Sequence, residues 1–293
     1  FPRIPSLIMN TVMYRFTTAL ALVALLLGGV GAAQAQERTI SETVDLDRDG
    51  RVTLNTFSGS ITITTWDEAS AQIEARIAGD DSELVDLTEV RIAGGGGRLD
   101  IETDYDEVED SQKFLGLFNF GDTDKPDVHY TLTIPRTAAL TIEDFSSDIE
   151  VTGLAADLEL KTFSSPVTLR DITGHLRGET FSGDVEIENL RGSIDVETFS
   201  GSVTVRMNTL EDDCSFKSFS GDVALMLPAD AAFDLDAELG MGGDLDSAFT
   251  VDAPRSEDGD VRGAVGGGGP RLSFETFSGT LELRELQGVA SGE

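Results

Sequence analysis

The sequence predicts an all-β protein: a single-stranded β-helix or β-solenoid with about 18 residues per coil, preceded by a less regular β N-terminal section. Three observations predict it. The stretch "ETFSGD" at 179–184 returns as "ETFSGS" at 197–202 and "ETFSGT" at 275–280, with looser copies from Asn55, Glu143, Lys161 and Lys217. The Phe of the motif recurs at Phe145, Phe163, Phe181 and Phe199, at intervals of 18. Apolar residues alternate with polar ones between these points, which is the pattern of a strand with one face buried.

Half-way between the phenylalanines stand Leu154, Ile172 and Leu190, so the elementary unit is nine residues: apolar, x, apolar, x, x, Phe or Leu, x, often Gly, x. Units start at Leu140, Ile149, Leu158, Val167, Leu176, Val185, Ile194 and Val203. After a two-residue insertion they resume at Cys214 and Val223. Isolated copies start at Val52, Ile61, Leu272 and Leu281, and one inward slot is broken by Gly178. The Ser-Gly or Arg-Gly after each corner residue supplies a bend.

Charge decides between nine and 18 residues per coil. At 18-residue spacing the fourth slot reads Glu143, Lys161, Glu179, Glu197 on the Phe side and Thr152, Arg170, Glu188, Arg206 on the Leu side, with signs mostly alternating. At nine-residue spacing Lys161 would face Arg170, and Glu179, Glu188 and Glu197 would share one row. Like charges opposed across roughly 5 Å are unfavourable, so the longer coil wins. One unit buries about 5–9 kcal/mol of apolar surface against about 9–18 kcal/mol of backbone entropy, so only a stack is stable. A Phe ladder is expected on one side of the coil and a Leu/Ile ladder on the other, both packed inside. A meander of hairpins is the structural rival.

Around the repeats the sequence divides as follows. Residues 1–35 read as a signal peptide with over-read residues upstream of Met9 or Met13: Arg15, an apolar run, then Ala33-Gln34-Ala35 before a cleavage point at Gln36. Residues 36–135 form the N-terminal β section, with "AQIEARIA", "EVRIA", "RLDIET" and "VHYTLTIP" as strands. An acidic insertion at 104–127 carries Phe114, Leu115, Leu117, Phe118 and Phe120, suited to seal the end of a solenoid or to bind a partner. Residues 136–252 are the β-solenoid repeats, 253–270 a Gly-rich linker, and 271–293 the final repeat, expected at the closing edge, with a C-terminal tail. Hydrophobic content of 40% is enough for a packed core.

Net charge is −33, with 54 acidic residues and only 21 basic ones. Such a surface repels nucleic acid and anionic membranes and attracts cations and basic partners. After the leader no apolar run is long enough to span a bilayer, so no transmembrane segment is expected in the mature chain. Together these predict an exported protein of the periplasm, cell surface or medium.

Candidate chemistry is sparse. "DLDRDG" at 45–50 begins like a calcium loop, which makes Asp45, Asp47 and Asp49 the metal candidates and calcium the one cofactor suggested. Its twelfth position is Thr56 rather than Glu, and its flanks read as strands; an Asp-rich turn is the plainer account. His129 and His175 stand without a sequence-adjacent nucleophile. The serine after each Phe reads as a turn residue. Cys214 takes an inward slot and is expected to be a buried, inert thiol. Glu186 and Glu188 could in principle cleave glycosidic bonds, but they belong to outward rows. The "GGGG" runs at 94–97 and 266–269 lack the Lys-Ser/Thr of a phosphate loop. No catalytic residue is assigned.

The stretches "TFSGSITITTW", "YTLTIPRTAALTIEDFSSDIEV", the serial "FSGDV" units and "SFSGDVALMLPADA" resemble a bacterial β-strand-repeat family, domain of unknown function 4097, labelled "putative adhesin". The resemblance runs from about Thr39 to Asp252 and includes the last copy. It implies a β-solenoid-like, envelope-associated protein and supplies no catalytic residues. The expected function is a non-enzymatic, adhesin-like binding or structural module at the cell envelope, whose partner is an envelope protein or a glycan. The alternatives are a carbohydrate-active β-helix enzyme using surface carboxylates, a calcium-dependent structural protein, and an envelope-stress signalling accessory.

Overall fold

The computed structural model describes residues 36–109, 125–257 and 259–286. The leader and Phe114, Leu115, Leu117, Phe118 and Phe120 of the 104–127 insertion lie outside them. The N-terminal section comprises β1 (Gln36–Asn55), β2 (Ser58–Trp66), β3 (Ser70–Gly79), α1 (Ser82–Leu87), β4 (Glu89–Asp104) and β5 (Asp127–Pro135). The repeats follow as β6 (Ala139–Asp144), β7 (Ser146–Thr152), β8 (Leu158–Thr162), β9 (Val167–Arg170), β10 (Leu176–Thr180), β11 (Val185–Glu188), β12 (Ile194–Thr198), β13 (Val203–Arg206), β14 (Cys214–Ser218) and β15 (Val223–Leu227). The remainder is β16 (Phe233–Leu239), β17 (Asp244–Ser247), β18 (Asp252–Glu257), β19 (Asp260–Val265), β20 (Arg271–Thr276) and β21 (Thr280–Glu285).

These strands form two ladders that face each other. One runs β4, β1, β6, β8, β10, β12, β14, β20, β16, β19, β18. The other runs β1, β3, β5, β2, β7, β9, β11, β13, β15, β21, β17. β1 serves both: Gln36–Asp45 pairs with β3, and the segment from Leu46 pairs with β4 and β6. Through the repeats all pairing is parallel, with Leu140 against Leu158, Leu158 against Leu176, and Leu176 against Ile194. Each of these coils therefore takes 18 residues, the coil from Ile194 to Cys214 takes 20, and the hairpin meander is excluded because its neighbours would be antiparallel.

The core lies between the ladders as columns of identical slots. Leu140, Leu158, Leu176, Ile194, Cys214 and Leu272 form one column, all buried, and Val167, Val185, Val203, Val223 and Leu281 form its counterpart opposite. Gly178 interrupts a column that otherwise holds Ile142, Leu160, Val196, Phe216 and Phe274. It leaves a void of about 10 Å³ lined in part by Leu160, Gly178 and Val196, room for roughly one water.

Sequence order and stacking order part company at both ends. The first copy, in β1 and β2, lies directly on β6 and β7, although residues 67–138 separate them in the chain. The last copy, β20 and β21, inserts between the β14–β15 coil and the β16–β17 coil. It is thus an interior coil rather than the closing edge expected from its place in sequence. Leu272 and Phe274 continue the Cys214 and Phe216 columns, so the best-matched slots set the order. The stretch 253–270, expected as a linker, carries β18 and β19, which pair with each other and, through β19, with β16. Among the described residues no helix is long and apolar enough to cross a membrane.

Candidate binding groove along the phenylalanine corner

Strand parity decides which way the corner residues point. In β10, Leu176, Gly178 and Thr180 face inward while Arg177 and Glu179 face outward. Parity continues through the bend, so Phe181 falls on the outward side. At the opposite corner, Asn189 adopts φ 57° and the chain turns its next side chain, Leu190, back into the core. Asp171 does the same with φ 54° before Ile172, a conformation that Asn and Asp tolerate better than other residues. The phenylalanines thus stack on the outside, contrary to the expectation that they pack within. Phe145, Phe163, Phe181, Phe199, Phe219 and Phe277 are 43–48% exposed, whereas Leu154, Ile172 and Leu190 are fully buried.

With Phe57 they form one unbroken ladder of seven rings. Successive centroids are 4.7–5.1 Å apart and ring planes are within 6° of parallel. The backbone enforces this spacing: Ser164, Ser182, Ser200 and Ser220 each donate an N–H to the carbonyl of the Phe one coil earlier, at 2.8–3.0 Å. The glycine of the motif serves close approach. A Cβ on Gly183, Gly201, Gly221 or Gly279 would lie 2.0 Å from a carbonyl oxygen of the coil below. In several coils the residue before the Phe closes the turn. Thr198, Ser218 and Thr276 hydroxyls accept the N–H three residues on, at 3.1, 2.7 and 2.8 Å. In the coil of β6 and β7 Asp144 takes the same place, accepting from Ser147 N at 2.7 Å and the Ser147 hydroxyl at 2.6 Å.

Beside the ladder runs the outward row Glu143, Lys161, Glu179, Glu197, Lys217, Glu275. Between the rings and this row lies a groove of about 780 Å³, floored by the threonine column. The Oγ1 atoms of Thr162 and Thr180 on that floor are buried without a hydrogen-bond partner. Lys161 reaches Glu159 at 3.0 Å and Glu143 at 3.8 Å, and Lys217 reaches Glu197 at 3.2 Å. These carboxylates hold both ammonium groups above their ordinary range, Glu159 foremost for Lys161 and Glu197 for Lys217. At one end of the ladder, Tyr105 meets Phe57 edge-on at 6.3 Å and Lys125 Nζ sits 4.6 Å from the Phe57 centroid. At the other end, the coil beyond Phe277 has Gly240 at the corner, bonded to Thr276 O at 2.7 Å, and the ladder stops.

Residues 140–284 match the model of the family Toastrack DUF4097. The repeat region is a Toastrack domain. Among solved structures, the chain is similar to a "putative cell adhesion protein" from Clostridium sporogenes, at 10% identity and a TM-score of 0.38, covering 86% of this chain and 100% of that one. It is similar also to a "putative adhesin" from Bacteroides fragilis, at 13% and 0.40, covering 84% and 97%. A third is a "putative lipid binding protein" from Parabacteroides distasonis, at 12% and 0.31, covering 85% and 97%. No curated protein matches the chain.

The other sequence candidates sit away from the Toastrack groove. Asp45, Asp47 and Asp49 are exposed on β1, where its pairing shifts from β3 to β4, and the flanks are strands as expected. Among the described residues no three His, Cys, Asp or Glu side chains gather as a metal cluster. Each histidine meets a serine, His129 Nδ1 with Ser60 Oγ at 2.9 Å and His175 Nδ1 with Ser193 Oγ at 2.7 Å. His175 and Ser193 stand 18 residues apart, one coil of the repeat, so that pair was within reach of the periodicity, whereas Ser60 lies 69 residues from His129 with no motif to link them. Glu186 and Glu188 both bind Arg206, at 2.7 and 3.2 Å, and Glu188 also binds Arg170 at 3.3 Å. Cys214 is buried, and burial pushes its thiol up to about 12.

Proposed function

We propose that this protein is a non-enzymatic binding or structural module, exported and acting at the cell envelope in the manner of an adhesin, with the phenylalanine corner as its binding face. The observation that carries this reading is the ladder of stacked rings left half-exposed on a rigid two-sided scaffold. Contiguous apolar surface of this extent marks an interaction site in a soluble protein. The leader-like residues 14–35 support export, and the net charge of −33 argues against nucleic acid as the partner.

The test uses the chain from Gln36 and its double variant Phe163→Ser/Phe199→Ser. Both rings are exposed, so the variant keeps its core, which circular dichroism and a thermal melt check. The wild type is expected to be retained on isolated envelope fractions and the variant to be released. Equal retention of the two, or liberation of a cleaved product by the wild type, overturns the reading.

A further inference from the structure

We propose that the phenylalanine groove takes a basic, proline-rich peptide segment in the polyproline II conformation, lying along the coil axis. The inference rests on the reading of the ladder as a binding face and specifies what it binds.

Ligand chemistry is narrowed first by what the corner does not offer. Its backbone is already engaged, since Ser182 N donates to Phe163 O at 2.8 Å and Phe181 N to Thr162 O at 3.3 Å, with the pattern repeated in the coils above. A strand therefore cannot add itself there by main-chain pairing. The ring faces are engaged too, because each interior ring has a parallel neighbour on both sides. Stacking of a flat sugar face or a cation over a ring is closed along the length of the ladder. What remains is a wall of ring edges, apolar and finely ribbed.

The rib spacing then selects a conformation. Ribs recur every 4.7–5.1 Å. A polyproline II helix advances about 3.1 Å per residue with three residues per turn, so one turn covers roughly 9.3 Å, close to two ribs. The same face of a β-strand recurs about every 6.7 Å, and an α-helix turns every 5.4 Å; both fall out of step within a few ribs. Over the whole ladder nine residues of polyproline II stay within about 1 Å of register. This conformer also has no internal hydrogen bonds to satisfy and is pre-organised by proline, so little ordering opposes its binding in an aromatic groove.

Charge sets the remaining feature. The facing wall holds four glutamates and two lysines, and both lysines are bound to neighbouring carboxylates. A ligand edge bearing arginine or lysine every third residue would lie along that wall, steered by the acidic surface.

The probe is a fluorescein-labelled peptide of three Pro-Pro-Arg repeats, compared by anisotropy titration with one of three Gly-Gly-Arg repeats. The two carry equal charge and differ in backbone preference. The proline peptide is expected to bind at least about tenfold more tightly, a difference of about 1.4 kcal/mol, and Phe163→Ser/Phe199→Ser to reduce it to the level of the glycine peptide. Equal binding of the two peptides, binding indifferent to the ring substitutions, or no binding of either peptide overturns the proposal. If envelope retention depends on the rings while the peptides fail, the binding face stands and only this assignment of its ligand falls. If retention is indifferent to the rings as well, both fall.

Discussion

The two corners of the coil start from the same nine-residue unit and end with opposite roles. At one corner Leu154, Ile172 and Leu190 are sealed into the core; at the other the phenylalanines stand out in a continuous ladder. The difference lies in one backbone conformation. Asp171 and Asn189, with positive φ, turn the aliphatic side chains inward, while the Thr-Phe-Ser-Gly bend keeps strand parity and sends the ring outward. A solenoid needs apolar columns for stability, but it does not need six exposed aromatic rings. One corner holds the stack together, and the other is available for contact.

The largest expected effect is common to both corners. Gly201→Ala places a methyl group 2.0 Å from Gly183 O, and Gly192→Ala one 2.1 Å from Gly174 O. Each is expected to cost on the order of 4 kcal/mol or more, read as lost or non-cooperative denaturant unfolding. A mild effect at either would show that the coils tolerate separation. Next comes Leu190→Ala, whose side chain is fully buried and whose loss leaves a cavity. Urea unfolding should show about 2–5 kcal/mol of destabilisation. Phe181→Ala removes two ring contacts from an exposed position and should cost only about 1 kcal/mol in the same assay. Equal costs for Leu190→Ala and Phe181→Ala would erase the contrast between the corners. Smallest is Arg206→Gln, which breaks exposed ion pairs to Glu186 and Glu188. Its effect should stay below about 1 kcal/mol and shrink further in high salt.

The coil length was legible because charge had to alternate between stacked rungs, and the structure bears out that logic: Lys161 meets Glu143, Arg170 meets Glu150 and Glu188, and Lys217 meets Glu197 across coils. The inward columns were legible from alternation alone. The direction of the phenylalanines was within reach, since counting parity from Leu176 through Thr180 places Phe181 outside, but hydrophobicity pointed the other way. The interior position of the last copy was hidden, because stacking follows the match of slots between distant coils and not the order of the chain. α1 was missed as well: it is six residues long, with Asp81 accepting from Glu83 N at 2.8 Å, too short to show a helical period.

The central claim is that one corner is outside and the other inside, and thiol reactivity tests it most directly. Cys214 is a silent background: burial holds its thiol to about 12 against an ordinary 9.0, so it should react at pH 8 only as the chain unfolds. Because its folded-state value is raised, its contribution to stability is complete below pH 9 and is lost as pH rises towards 12. In that background, Phe181→Cys and Leu190→Cys are each exposed to a thiol reagent under native conditions. The account predicts prompt labelling of the thiol at 181 and labelling of the one at 190 only at the rate of unfolding. Protection at both positions, or the reverse order, would contradict it.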